Sequence, residues 1–205
     1  MSKQKRSQWM QRHLDDSFVK KAQADGFRSR AAYKLLELNE KDKLFKSGMC
    51  VVDLGAAPGG WTQVACDLVG DKGRVIALDI LPMDSFANAE VIQGDFREAD
   101  VYQKLLDTLD GQAVDLVISD MAPNISGMRA IDQPKAMYLA ELALDFACQT
   151  LKPGGDFATK VFEGEGMVDY RRLVKQSFSK MLVRKPDASR SESRELFIVG
   201  KSRLS

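Results

Sequence analysis

Cysteine and histidine are scarce in this chain of 205 residues, with three of the first and one of the second. Cys50, Cys66 and Cys148 are scattered and odd in number. That excludes a disulfide framework, and without clustered ligands it excludes zinc; no metal is expected. No apolar run approaches the roughly 18 residues of a transmembrane helix, so no membrane partner is expected. The opening stretch MSKQKRSQWMQRHLDD has basic residues but no apolar segment behind them, and so does not read as a signal peptide. A reducing cytoplasm is the expected compartment. There is no internal repeat and no low-complexity tract. The length suits one α/β domain with a real core rather than two.

Net charge is also small, at +1, but it is unevenly divided. Residues 1–46 hold 12 Lys/Arg against 6 Asp/Glu, residues 47–170 hold 8 against 20, and residues 171–205 hold 10 against 3. The chain is therefore basic, then acidic, then basic. Ends that fold onto one face would form a cationic surface suited to phosphates.

What is present is a regular alternation. Residues 1–46 read as a basic helical N-terminal extension, with SRAAYKLLELNEKDKLF carrying an apolar stripe at Tyr33, Leu36 and Leu38. Over 47–205, apolar runs alternate with helical patterns. The strands expected are MCVVDLG, GRVIALDI, AEVIQGDF, VDLVISDM, DFATKVF and LFIVGKS. Helices are expected at GWTQVACDLV, READVYQKLLDTL and PKAMYLAELALDFACQTL, the last stopped by KPGG. Nearly all-apolar strands separated by helices indicate a parallel sheet covered on both faces, a doubly wound, Rossmann-like α/β domain. Ligands then belong at the C-terminal strand ends, where the acids Asp53, Asp79, Asp95 and Asp120 fall.

The turn GAAPGG after the first strand limits the ligand. It is not a P-loop, because no Gly-Lys-Ser/Thr follows, and it misses the G-x-G-x-x-G spacing of dinucleotide sites. Pro58 removes a backbone donor that a pyrophosphate would need. A glycine turn (Gly55, Gly59), acids closing the next strands and no phosphate element suit an adenosyl ligand without phosphates. S-adenosylmethionine is such a ligand, its sulfonium tolerated by an acidic rim. Asp79 is placed to accept from ribose hydroxyls and Asp95 to meet the adenine amino group.

The methyl acceptor is narrowed by what is missing. Cytosine C5 chemistry needs a cysteine on a loop, whereas Cys66 and Cys148 fall in helical apolar patterns and Cys50 begins a strand; all three read as core. Base-amino methylation usually shows Asp/Asn-Pro-Pro-aromatic after the fourth strand, and this chain has SDMAPN. His13, in the basic arm, reads as a surface or RNA-proximal residue rather than a general base. Lys160 lies inside DFATKVF, so it either opens into a site or reaches solvent from a strand end.

RSRAAYKL, VVDLGAAPGGWTQ, LPMD, QGDFR, SDMAPNISG, KVFEGEG and RKPDASRSESRE together resemble the bacterial heat-shock ribosomal RNA 2′-O-methyltransferases of the FtsJ type. The similarity covers nearly the whole chain, in order. It implies a class I S-adenosylmethionine-dependent methyltransferase fold whose mostly parallel sheet ends in an antiparallel strand. It implies a Lys–Asp–Lys–Glu tetrad at Lys34, Asp120, Lys160 and Glu195. It implies cofactor contacts at Gly55, Gly59, Trp61, Asp79, Asp95 and Asp120. The substrate implied is a uridine ribose in the A-loop of 23S rRNA, within the large ribosomal subunit. Transfer RNA is the rival substrate, and a non-catalytic rRNA-binding assembly factor is the rival class. An NADH-dependent oxidoreductase fits the fold but not the glycine spacing. For RNA contact, Lys3, Lys5, Arg6, Arg12, Lys20, Lys21, Arg28 and Arg30 are candidates, with Trp9 and Phe27 for stacking. No DNA partner and a monomer are expected.

Overall fold

The computed structural model describes residues 17–205 apart from residue 191. Trp9, His13 and the basic residues before position 17 lie outside the described residues. Val51, Val52, Val75, Ile76, Leu116 and Val117 are wholly buried, as β-branched and apolar residues covered on two faces must be. They belong to β1 (Cys50–Leu54), β2 (Arg74–Asp79) and β4 (Val114–Ser119). With β3 (Ala89–Gln93), β5 (Leu151–Phe162), β6 (Phe178–Arg184) and β7 (Glu195–Arg203) they form one seven-stranded sheet, in the order β3-β2-β1-β4-β5-β7-β6. The first five are mutually parallel; β7 runs antiparallel to both β5 and β6. The antiparallel last strand is therefore as expected.

Period-two alternation sends side chains to opposite layers. Val52, Leu54, Ile76 and Leu78 pack beneath α4 (Ala99–Leu109), α5 (Arg129–Thr150) and α6 (Met167–Ser177). Val51, Val75, Leu116 and Ile118 pack beneath α2 (Ala31–Asp42) and α3 (Gly60–Val69), with α1 (Ser17–Ala24) docked beyond through Ala22, Tyr33 and Ala188. Among the described residues no helix is long and apolar enough to cross a membrane.

The helix α3 has the bounds that its pattern gives, and β1, β2, β4 and β7 lie within one or two residues of theirs. The strand β5 begins at Leu151, so KPGG, expected only to stop the helix, lies within the strand, and three further points differ. First, α5 starts at Arg129, five residues before Pro134, which lies inside it. Tertiary bonds secure that extra turn: Asp132 accepts from Ser126 N, Ser126 Oγ and Gly127 N, and Gln133 donates to the carbonyls of Phe162 and Glu165. Second, α6 and β6 were not anticipated; α6 buries only Met167, Tyr170 and Val174, and β6 is a half-exposed edge strand. Third, only Cys50 of the cysteines is fully buried; Cys66 and Cys148 are half-buried on their helices.

A cluster of rings tightens the α4/α5 layer. Phe146 meets Phe96 and Tyr102 edge to face at 5.7 and 5.9 Å. Phe146→Ala is expected to lower unfolding free energy by about 3–5 kcal/mol, read by denaturant titration, without moving the opposite layer.

Candidate active site

Three strands and one helix bring four charged residues together. Lys160 lies near the end of β5 and faces the α2/α3 layer, opposite Phe197 of β7. Glu195 opens β7 opposite Phe162, two residues from Phe197 and so on the same face. Asp120 follows the last residue of β4, and Lys34 belongs to the first turn of α2. The lysine at 160 is thus not the solvent-reaching kind: it is 9% exposed.

The four make two bonded pairs. Lys160 Nζ donates to the Asp120 carbonyl at 2.6 Å and stands 3.0 Å from Asp120 Oδ1. That carboxylate oxygen is buried and, although ion-paired with the ammonium, accepts no well-aligned hydrogen bond. Lys34 Nζ meets Glu195 Oε1 at 2.6 Å, an oxygen that also accepts from Ser189 Oγ at 2.9 Å. Lys34 also lies 5.7 Å from the centre of the Phe197 ring, whose other contact is Trp61 at 5.6 Å. The two pairs thus place two ammonium groups and two carboxylates, all largely buried, on one rim.

Beside the tetrad, the first strand delivers its glycine loop. Gly55 and Gly59 take left-handed φ of +79° and +106°, which side-chain-bearing residues rarely adopt. A Cβ on Gly55 would fall 2.6 Å from Met121 Cγ, and one on Gly59 would fall 2.7 Å from the Phe86 ring. A Cβ on Gly60 would meet Ser29 Oγ at 2.2 Å. The loop is thus closed over by residues of three other segments. Asp79 supports it, accepting from Ala57 N at 2.9 Å and Leu81 N at 2.8 Å. Trp61 contributes no side chain to the cleft: its indole is buried and donates to the Ala31 carbonyl at 2.8 Å. Only its backbone N–H, one of the orphan donors at the start of α3, remains for a ligand. Asp95 is held in a fork by Arg97, whose hydrogen bonds keep its carboxyl below the ordinary carboxylate range.

Arg28, anticipated for RNA, is bonded within the fold. It donates to the carbonyls of Asp84 and Ser85 at 2.8 and 3.1 Å and lies 3.7 Å over the Phe86 ring. Arg30 donates to the Ala188 carbonyl, and Phe27 packs edge-on against Tyr33 at 5.4 Å. Lys21 sits over the same Tyr33 ring. Burial pushes the Cys66 thiol up to about 11 and that of Cys50 upward, which leaves neither as a nucleophile. Among the described residues no three His, Cys, Asp or Glu side chains come together in a way that could hold a metal.

Asp53 is the residue whose importance the sequence conceals. It sits within β1 rather than at its end and has no exposed surface. Oδ2 accepts from Thr62 Oγ at 2.7 Å, and Oδ1 has no partner at all. Burial pushes its pKa up to about 7, opposed by the Thr62 bond and reinforced by the charges of Asp120 and Asp79.

A sheet of this topology, with a glycine turn after its first strand and a Lys–Asp–Lys–Glu quartet beside it, defines a Rossmann-like methyltransferase. The chain belongs to the FtsJ-like methyltransferase family, whose model matches residues 27–203. It is 62% identical over 193 residues to a protein of Alkalilimnicola ehrlichii named ribosomal RNA large subunit methyltransferase E, covering 94% of this chain and 92% of that one. A protein of Marinobacter nauticus with the same name is 60% identical, covering 95% and 94%. Among solved structures, a Plasmodium falciparum protein assigned as a ribosomal RNA methyltransferase superposes with a TM-score of 0.79 at 29% identity. That match covers 87% of this chain and 100% of that one.

Protonated in the fold near pH 6 but ionised when unfolded, Asp53 makes the folded state bind the extra proton between about pH 4 and 7. Stability then falls as pH rises through that window. Asp53→Asn is expected to flatten this slope and to be the more stable protein at pH 8, by a few kcal/mol at most. Thermal unfolding of both proteins from pH 5 to 8 checks it; parallel curves would remove Asp53 as the source.

Proposed function

We propose that this chain transfers a methyl group from S-adenosylmethionine to the 2′-hydroxyl of a uridine ribose in the A-loop of 23S rRNA. The observation that carries this reading is the pairing of Lys160 with Asp120 and of Lys34 with Glu195 on one rim beside the glycine loop. The names borne by its relatives, ribosomal RNA large subunit methyltransferase E, supply the substrate class.

The cleft's residues fit the proposed cofactor. Left-handed Gly55 and Gly59 let the loop turn tightly against Met121 and Phe86, and the first-turn N–H groups of α3 suit the cofactor's carboxylate. The buried oxygen of Asp120 that lacks a hydrogen-bond donor suits a cationic, donor-bearing group better than a neutral one. Asp79 and Asp95, at the ends of β2 and β3, are the carboxylates for ribose hydroxyls and the adenine amino group. When bound, the cofactor supplies a methyl carbon activated by a positive sulfur.

The protein's share is positioning and proton handling. The 2′-oxygen must approach that carbon in line, and fixed orientation is worth several kcal/mol. Lys160 takes or steers the hydroxyl proton as the oxygen–carbon bond forms and the carbon–sulfur bond breaks, its electron pair passing to sulfur, a role worth about 10²–10⁴-fold. Asp120 orients Lys160 and lies beside the transferring group. Lys34, held by Glu195, whose carboxylate also accepts from Ser189, anchors the ribose from the α2 side. The alternatives of a tRNA substrate and of a non-catalytic assembly factor are separated by labelling. With methyl-labelled cofactor and ribosomal subunits, free rRNA and tRNA from cells lacking the enzyme, label should enter large-subunit rRNA.

Lys160→Ala should abolish that labelling while calorimetric binding of the cofactor persists. Lys160→Arg keeps a cation but offers no accessible neutral form; partial activity would identify an orienting cation, and none a proton acceptor. Label confined to tRNA would overturn the substrate. RNA affinity should also fall steeply with salt, because phosphate contacts release counterions; a flat response would refute backbone recognition by the basic segments.

A further inference from the structure

At the other end of the sheet, away from the tetrad, lies a cavity of about 580 Å³. It is lined by Lys43, Lys46, Lys152, Lys201, Asp115 and Asp156. Asp115 precedes Asp120 by five residues along β4 and Asp156 precedes Lys160 by four along β5, which separates the two sites by about 15 Å. The carboxylates are already spoken for. Asp156 is buried and holds Lys201, and Asp115 pairs with Lys152 while accepting from Cys50 N at 2.7 Å. Lys43 and Lys46 are exposed and have no carboxylate partner among the described residues. The cavity therefore carries a surplus of two positive charges.

Its backbone is built at some cost. Lys43 closes α2 with φ of +49°, a position where glycine is the cheap choice. Ser202, which also lines the cavity, takes φ of +56°. Left-handed backbone costs about 1 kcal/mol or more at a residue with a Cβ. Lysine thus stands where the helix end alone would favour glycine. The lining contains no aromatic ring on which a base could stack and no arginine fork. Such a site reads charge rather than base identity: compact ammonium groups on flexible stems beside glycine backbone suit phosphodiesters.

We propose that this cavity is a second RNA-contact site, binding backbone phosphates of the same ribosomal RNA substrate through Lys43 and Lys46. The inference rests on the rRNA reading above. It places an RNA segment at the end of the sheet remote from the reacting ribose, so the enzyme grips its substrate at two places.

Lys43→Gln/Lys46→Gln keeps a polar, unbranched stem, one atom shorter, and removes both charges. Its binding to rRNA is measured against salt, beside wild type and a control, Lys104→Gln/Lys175→Gln, with the same charge change on α4 and α6. The expected result is a salt slope shallower than wild type by roughly 2 for the cavity variant. Its KM for the rRNA substrate should rise several-fold at unchanged kcat, with cofactor binding and melting temperature as in wild type. A slope equal to that of wild type, or a loss matched by the control, overturns the second site. If wild type itself neither binds nor labels rRNA, the rRNA reading fails, and the proposal with it.

Discussion

Taking Lys160 out of water is the constraint around which the rest of this fold is arranged. An ammonium on the covered face of a sheet is tolerated only when it is paired and hydrogen-bonded. Here one residue provides both, Asp120 giving its carbonyl and its carboxylate. That is possible because β4 and β5 are parallel neighbours, so the chain leaving β4 passes the end of β5. Inserting β7 antiparallel beside β5 then brings Glu195 to the same rim, and with it a carboxylate for the second lysine. A buried ion pair is weak evidence of stabilisation, since hydrophobic residues of similar volume often serve the fold as well.

The second lysine comes from a helix outside the sheet's own alternation, which means that α2 must be fixed firmly. Several independent bonds do this. Arg184 forks onto Asp42 at the end of α2, Glu37 accepts from the backbone N–H groups of Asp187 and Ala188, and the Trp61 indole ties α3 to Ala31. Arg28 then fastens the approach to α2 onto the loop after β2. The basic residues near Phe27 thus act as braces between the segment before α2 and the loops after β2 and β6.

Much of this was legible in the residues, and the parts that were not have physical reasons. Continuous apolar runs made β1, β2 and β4 plain, and GWTQVACDLV marked α3 because glycine opens it and glycine closes it. The edge strand β6 stayed hidden because FSKMLVR has lysine and arginine where a buried strand would not. For α5, Pro134 looked like a first turn; it is inside the helix because the bonds of Asp132 and Gln133, which no local pattern encodes, carry the extra turn. The tetrad spans 34 to 195 in the chain, so only resemblance could gather it; its members are unremarkable one at a time. Asp53 was read as one of four equivalent strand-end acids. Burial distinguishes it, and burial of a polar residue inside VVDLG is a property of the layers above and below.

The position of β7 also sets an order on assembly during synthesis. β6 is made before β7, yet β7 lies between it and β5. While residues 178–184 are emerging, β6 has no neighbour in the sheet to pair with, and β5 presents a bare edge. Only the arrival of residues 195–203 fills the gap, pairing with both strands at once. The same nine residues carry Glu195. Completion of the sheet and completion of the charged rim are thus one event, and a nascent chain does not present the finished rim on an unfinished scaffold.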